Sequence, residues 1–276
     1  VQELIEEPAD PELMAPEALM ANLENAIASL SKIKNANLEL NRQKIEPLTD
    51  FYAVGLTRQA AVRVGITTGE LSVRNSAKEI AKTFVSGRSD EFYNADLLLV
   101  SGLPGSGKTT VIKKLKNNLT GQNIPPVIRV FENVFSVNDF TRASAWLQKH
   151  DQDKQRHIAI LEISDASIID ANVFGVAANH RSLNVCIINV SHVGASHDFI
   201  VKNVRKPTIQ SEFLILTKLD VCDLSIPEIS AYIEIGAECL FFSGHVGQDN
   251  GLYPARIDQI STHIHDLVEH RMTTNG

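Results

Sequence analysis

The chain has 276 residues, 43% of them hydrophobic and 21% charged, with a formal net charge of -7. This is the make-up of a soluble globular protein, with enough apolar material for one α/β domain of ordinary size plus a smaller module. The acidic balance and the lack of a basic stripe argue against nucleic acid as the main partner.

Val1 to Pro16 is acidic and punctuated by proline, which predicts a loose arm over residues 1–16. Residues 17–92 contain no convincing strand and several helical patterns. Leu19, Leu23, Ile27, Leu30 and Ile33 recur at helical spacing, as do Leu38 with Ile45 and Phe51 with Val54. Ala60, Ala61 and Val64 mark a third segment, and Val73 to Val85 a fourth, with Ser72 as N-cap and Gly87 as stop. Together they predict a small N-terminal helical bundle. Strands and helices alternate over residues 93–276. Candidate strands are 96–101, 127–131, 157–163, 184–190, 212–217 and 238–242, and Pro254 to His270 closes the chain with Ile257, Ile260, Ile264, Leu267 and Val268 on one helical face. The expected fold is α/β: a mostly parallel sheet flanked by helices, its ligands at the carboxyl ends of the strands.

The most informative stretch is Leu97-Leu98-Leu99-Val100-Ser101-Gly102-Leu103-Pro104-Gly105-Ser106-Gly107-Lys108-Thr109. An apolar strand runs into a loop that fits G-x-x-x-x-G-K-[ST], so the α/β domain is expected to be a P-loop NTPase. Gly102, Gly105 and Gly107 let backbone N–H groups curl around a phosphate chain. Lys108 reaches the β- and γ-phosphates, and the Thr109 hydroxyl takes Mg²⁺. Val111 to Leu119 follow as a helix, which sets the phosphates on its N-terminus. The alternative is a chance glycine-rich turn.

A second motif concerns the base. Glu212 to Thr217 is an apolar strand that ends in Thr217-Lys218-Leu219-Asp220, an [NT]-K-x-D pattern. The Asp220 carboxylate accepts from the guanine ring N–H and the exocyclic amino group, two donors that adenine does not pair. Phe241-Phe242-Ser243-Gly244-His245 ends the last strand, where small residues such as Ser243 and Gly244 let backbone approach a base.

Two further places qualify. His157 to Glu162 is a strand with an acidic end, suited to a metal-proximal Glu162, with Asp165 as the alternative. Asp139 and Arg142 stand one helical turn apart, where Asp139 would orient water and Arg142 stabilise developing charge; a surface ion pair is the competing reading. His192, His197, His245, His263 and His265 lack a metal-site spacing and read as surface or satisfied core residues. Lys113-Lys114 with Lys116, and Lys202 with Arg205-Lys206, read as solvated helix faces. Cys186, Cys222 and Cys239 lie far apart and read as buried thiols in a reducing compartment. With no signal-peptide pattern and no apolar run of bilayer length, a cytoplasmic protein is expected.

In motif and in order, these pieces resemble the NG module of the signal-recognition-particle class of GTPases (the SIMIBI class). The family's G-x-x-G-x-G-K-T-T loop matches Gly102 to Thr110, and its D-T-x-R-x-x-A element is similar to Asp139, Arg142 and Ala145. Its T-K-x-D motif matches Thr217 to Asp220, and its closing loop is similar to Ser243-Gly244 with Gly251 to Pro254. The resemblance implies GTP/GDP and Mg²⁺ as cofactors, with Thr109 and Glu162 at the metal. It implies a catalytic role for Lys108, Asp139 and Arg142, and nucleotide contacts from Ser106, Thr110, Thr217, Lys218, Asp220, Ser243 and Gly244. A protein partner is also implied, either a related GTPase or a second copy across the nucleotide face, as is recruitment to a membrane surface.

Two departures mark a divergent member. The family's D-T-A-G-R switch is replaced by Glu162-Ile163-Ser164-Asp165-Ala166, where Asp165 would repel a γ-phosphate. The stretch from Asp139 to Glu162 is too short for the family's extra βα insertion. Glu162-Ile163-Ser164 is also similar to the E-T-S-G of metal-chaperone GTPases, although their cysteine and histidine ligand motifs are lacking. A regulatory GTPase, a small-molecule kinase and a hydrolysis-deficient nucleotide-binding scaffold are the competing functions.

Overall fold

The computed structural model describes residues 48–67, 71–121, 124–165, 167–169, 183–244 and 251–274. The arm over 1–16, the helical pattern from Leu19 through Ile45, Ala166 and His245 lie outside the described residues. In chain order the elements are α1 (Arg58–Val64), α2 (Val73–Phe84), α3 (Ser89–Tyr93), β1 (Leu97–Gly102), α4 (Lys108–Thr120), β2 (Val127–Val134), α5 (Val137–Lys149) and β3 (His157–Ile163). There follow β4 (Val185–His192), α6 (His197–Asn203), β5 (Glu212–Thr217), α7 (Ile226–Ile235), β6 (Cys239–Phe242), β7 (Tyr253–Pro254) and α8 (Ile257–Thr274).

The strands form one sheet in the order β2-β3-β1-β4-β5-β6-β7, parallel throughout except for β7. All six strands expected from the sequence are present. Leu97 to Val100 are fully buried, because helices cover both faces of β1; such strands read as unbroken apolar runs. Burial of each of these leucines contributes about 1.5–3 kcal/mol. One face packs against α4 through Val111, Leu115 and Leu119, the other against α5 through Phe140, Ala143 and Leu147.

The chain crosses from β1 to β2 and β3 on one side and then to β4 on the other. A crevice therefore opens at the carboxyl end of β1, where connections diverge. Register sets its contents: Val100 lies beside Glu162, Gly102 beside Val190, and His192 beside Thr217.

The described helices before β1 share a core with the end of the chain. Phe51, Ala60, Ile80 and Phe84 pack with Ile229 and Tyr232 of α7 and Ile264 of α8. Ser72 caps α2 as expected, its hydroxyl accepting from the Asn75 amide at 3.3 Å. The expected stop at Gly87 comes early. α2 ends at Phe84 because Val85 leaves the helix to bridge Cys239, and Ser86 N–H donates to the Cys239 carbonyl at 2.9 Å.

Two details of the last helix also differ from expectation. Pro254 belongs to β7, paired with Phe241, and as an edge residue it needs no ladder donor. Ile257 opens α8 exposed, while Ile260, Ile264 and Val268 are buried.

Candidate nucleotide-binding site

The loop between β1 and α4 is wound as its glycines require. A Cβ on Gly102 would lie 2.2 Å from the Val190 carbonyl oxygen, so β4 leaves room for nothing larger. Gly105 and Gly107 also have positive φ, and Gly107 caps α4 directly before Lys108. The Lys108 ammonium donates to the carbonyls of Gly102 at 2.7 Å and Leu103 at 3.3 Å, folded back over the loop that holds it. Ser106 is buried, and its hydroxyl has no partner among the described residues. Thr109 and Thr110 are exposed on the first turn of α4.

The Thr109 hydroxyl donates to Glu162 Oε1 at 2.7 Å. A hydroxyl and a half-buried carboxylate, both oxygen donors, are the ligand chemistry that Mg²⁺ takes. Asp165, the alternative, is exposed and turned to its own loop: Oδ1 accepts from the Ser167 amide at 2.9 Å. The amide and hydroxyl of Ser167 hold its carboxyl below the usual range.

The loop after β5 is braced directly on the phosphate loop. Thr217 Oγ1 donates to the Ser106 carbonyl at 2.7 Å and lies 3.2 Å from the Ser191 carbonyl. Lys218 then takes the left-handed conformation at φ 63 and carries the chain to an exposed Asp220. Gly244 stands against this turn. A Cβ there would meet Asp220 Oδ1 at 2.4 Å and the Leu219 nitrogen at 3.1 Å. Ser243 N–H donates to the Leu216 carbonyl at 2.8 Å, which joins the ends of β5 and β6.

Asp139 and Arg142 have a different local role. The Asp139 carboxylate closes the capping box of α5, accepting from the Ser136 amide and hydroxyl and from the Phe135 amide. Burial works upward on this carboxyl, but those hydrogen bonds and the Arg142 charge hold it below its ordinary value. Arg142 pairs with Asp139 at 3.3 Å and is 69% exposed.

Three participants escaped the sequence reading. Lys114, taken for a solvated residue, donates to Ser243 Oγ at 3.0 Å and ties α4 to the loop after β6. Arg205, also expected to be solvated, is half-buried and paired with the buried Glu212. Asn189 Nδ2 donates to the same carboxylate at 2.7 Å. Asn189 and Arg205 line a cavity of about 280 Å³ with Ser106, Asp165, Ser191 and His192, next to the phosphate loop. Their contacts join three separate elements, so no local spacing could reveal them. The remaining histidines behave as expected where described: His197 meets Glu234 and His263 meets the Leu224 carbonyl.

No protein-family model matches the sequence, and no sequence relative was found among the characterised proteins compared with it. Solved structures do match. FlhF complexed with GTP and Mg²⁺ aligns at a TM-score of 0.50 and 12% identity, over 81% of this chain and 99% of that one. The described residues share the NG fold of the signal-recognition-particle-type GTPases. Chloroplast FtsY from Physcomitrella patens aligns at 0.48 and 14% identity, over 71% of this chain and 76% of that one. The signal recognition particle receptor FtsY from Elizabethkingia anophelis, in complex with GDP, aligns at 0.48 and 11% identity, over 79% and 82%. Within this NG fold, both sequence motifs stand at carboxyl ends of strands, where an open α/β sheet binds its ligands.

Proposed function

We propose that this protein is a GTP-binding switch that uses Mg²⁺ and controls docking to a protein partner, a related GTPase or a second copy. In this reading residues 17–92 form the helical module and 93–276 the GTPase domain. The observation that carries it is the bond from Thr217 to the Ser106 carbonyl, which sets the T-K-x-D turn at a fixed place beside the phosphate loop. Lys108 would exchange the loop carbonyls for β- and γ-phosphate oxygens. Thr109 and Glu162 would hold Mg²⁺, which supplies charge neutralisation at those phosphates. Gly102 to Thr110 would present backbone N–H groups to the phosphates, and Lys218, Asp220, Ser243 and Gly244 would enclose the base. A catalytic role for Asp139 requires its helix cap to open, so slow intrinsic turnover and activation by a partner are expected. Among the described residues no helix is long and apolar enough to cross a membrane, and membrane recruitment would be peripheral.

The test is titration with GTP and ATP in Mg²⁺, on wild type and Asp220→Asn. Preference for GTP, lost in the variant, supports the reading. Equal or better binding of ATP, indifferent to Asp220, sinks it. The cavity beside the phosphate loop favours one second reading, a small-molecule kinase whose acceptor sits against Asn189, His192 and Arg205. That reading takes over if ATP wins the titration.

A further inference from the structure

A second cluster of ligating side chains stands at the opposite end of the sheet. His150 caps the end of α5, Asp153 follows in the turn, and His157 is the first residue of β3. The Asp153 amide donates to the His150 carbonyl at 3.0 Å, which closes the turn and brings both side chains to one side. His150 Nδ1 lies 2.8 Å from Asp153 Oδ2, and His157 Nε2 lies 3.4 Å from the same oxygen. The three ligand atoms all fall within 4.8 Å of one another.

The ring of His157 is oriented for a cation. Its Nδ1 is 2.9 Å from the Gln155 carbonyl oxygen. A carbonyl only accepts, so Nδ1 carries a proton, and in the neutral ring Nε2 turns its lone pair toward the Asp153 carboxylate. In that form two acceptors face each other, an arrangement that a proton or a metal cation between them stabilises. A backbone carbonyl fixing the far nitrogen is also how metal-binding imidazoles are usually held. The two imidazoles stack at 4.5 Å and 15°, and the Trp146 ring lies 5.5 Å from one and 5.4 Å from the other. This aromatic backing leaves His157 only 9% exposed, while Asp153 at 46% keeps one side open to water.

We infer that His150 Nδ1, Asp153 Oδ2 and His157 Nε2 form a binding site for Zn²⁺, with water completing the shell. Two imidazoles and one carboxylate suit a borderline first-row cation and disfavour Mg²⁺ or Ca²⁺, which take oxygen shells. Bonds of about 2.0–2.1 Å at tetrahedral angles place donors about 3.3 Å apart, so small side-chain rotations close the set. The His150 proton moves to Nε2 as Nδ1 takes the metal. The site joins the end of α5 to the start of β3 and is separate from the nucleotide crevice. Glu162 stands five residues along β3, roughly 16 Å at ~3.3 Å per residue.

Trp146 is the only tryptophan in the chain and reports on the site directly. The experiment titrates the nucleotide-free protein with Co²⁺, follows tryptophan fluorescence, and then displaces Co²⁺ with Zn²⁺. Saturable quenching at one equivalent, reversed by Zn²⁺, is expected for wild type and for Glu162→Gln. His157→Gln should abolish it, and Asp153→Asn, on an exposed turn, should weaken Co²⁺ at least tenfold with the circular dichroism unchanged. Quenching that fails to saturate in wild type, or that survives unchanged in both site variants, would overturn the assignment.

Discussion

The Thr109 hydroxyl on the first turn of α4 donates to Glu162 at the end of β3, 2.7 Å away. The bond spans the gap between two neighbouring parallel strands and their loops, so it depends on the register that sets Val100 beside Glu162. Substitution Glu162→Gln keeps the shape and removes the charge. Loss of such a supporting carboxylate typically costs about 10–100-fold in metal affinity. The Mg²⁺ concentration needed for tight nucleotide binding should rise by that factor, with affinity in chelator nearly unchanged. Titrating nucleotide across a Mg²⁺ series checks this, and an unchanged Mg²⁺ requirement would remove Glu162 from the site.

Gly244 makes a sharper test of the base-binding turn. At φ 91 alanine would be strained, and the Asp220 carboxylate, whose Oδ1 lies 2.4 Å from the position of a Cβ, would have to move away. The clash falls on the carboxylate that is to read the base. Gly244→Ala should cost about 1–3 kcal/mol through backbone strain and reduce the preference for GTP over ATP more than it reduces phosphate-loop affinity. Comparing GTP, ATP and inorganic triphosphate binding separates the two effects.

The legible parts of this protein are those written in contiguous residues. Gly102 to Thr109 declare their loop because every contact of the motif is local, and Leu97 to Val100 declare a doubly covered strand by being apolar throughout. Glu162 could be placed because it ends a strand. Asn189, Arg205 and Glu212 could not, since each looks ordinary until β4, the loop after α6 and β5 meet. For Asp139 the sequence leaves two roles open, one toward the phosphates and one local. Its own helix offers three local donors, and a capping box satisfies it without any distant partner.

The Arg205 cluster carries a stability prediction. Glu212 is 1% exposed and is compensated by Arg205, by Asn189 Nδ2 and by the Thr208 amide at 2.9 Å. Arg205→Met leaves the carboxylate buried with two neutral donors, and breaking such a pair costs about 3–5 kcal/mol. Adding Glu212→Gln removes the stranded charge and should recover part of the loss. Urea denaturation of the single and double variants measures the coupling. Additive losses would mean that the ion pair contributes little.

His197 sets a pH dependence whose sign follows from its surroundings. Partial burial pulls its pKa down, but hydrogen bonds and charge from Glu234 and Asp198 outweigh it, and the net shift is upward. Glu234 also accepts from the Thr57 hydroxyl at the cap of α1, so the pair links α1, α6 and α7. A raised folded-state pKa means stability fully present below the unfolded value of about 6.5 and lost as pH rises through the folded value. Wild type should therefore lose stability from just above that point upward through neutrality. His197→Gln should flatten that slope while leaving the stability at higher pH nearly the same. Urea midpoints at a series of pH values for both proteins decide it: parallel curves would mean that the imidazole gains nothing from Glu234 and Asp198 on folding.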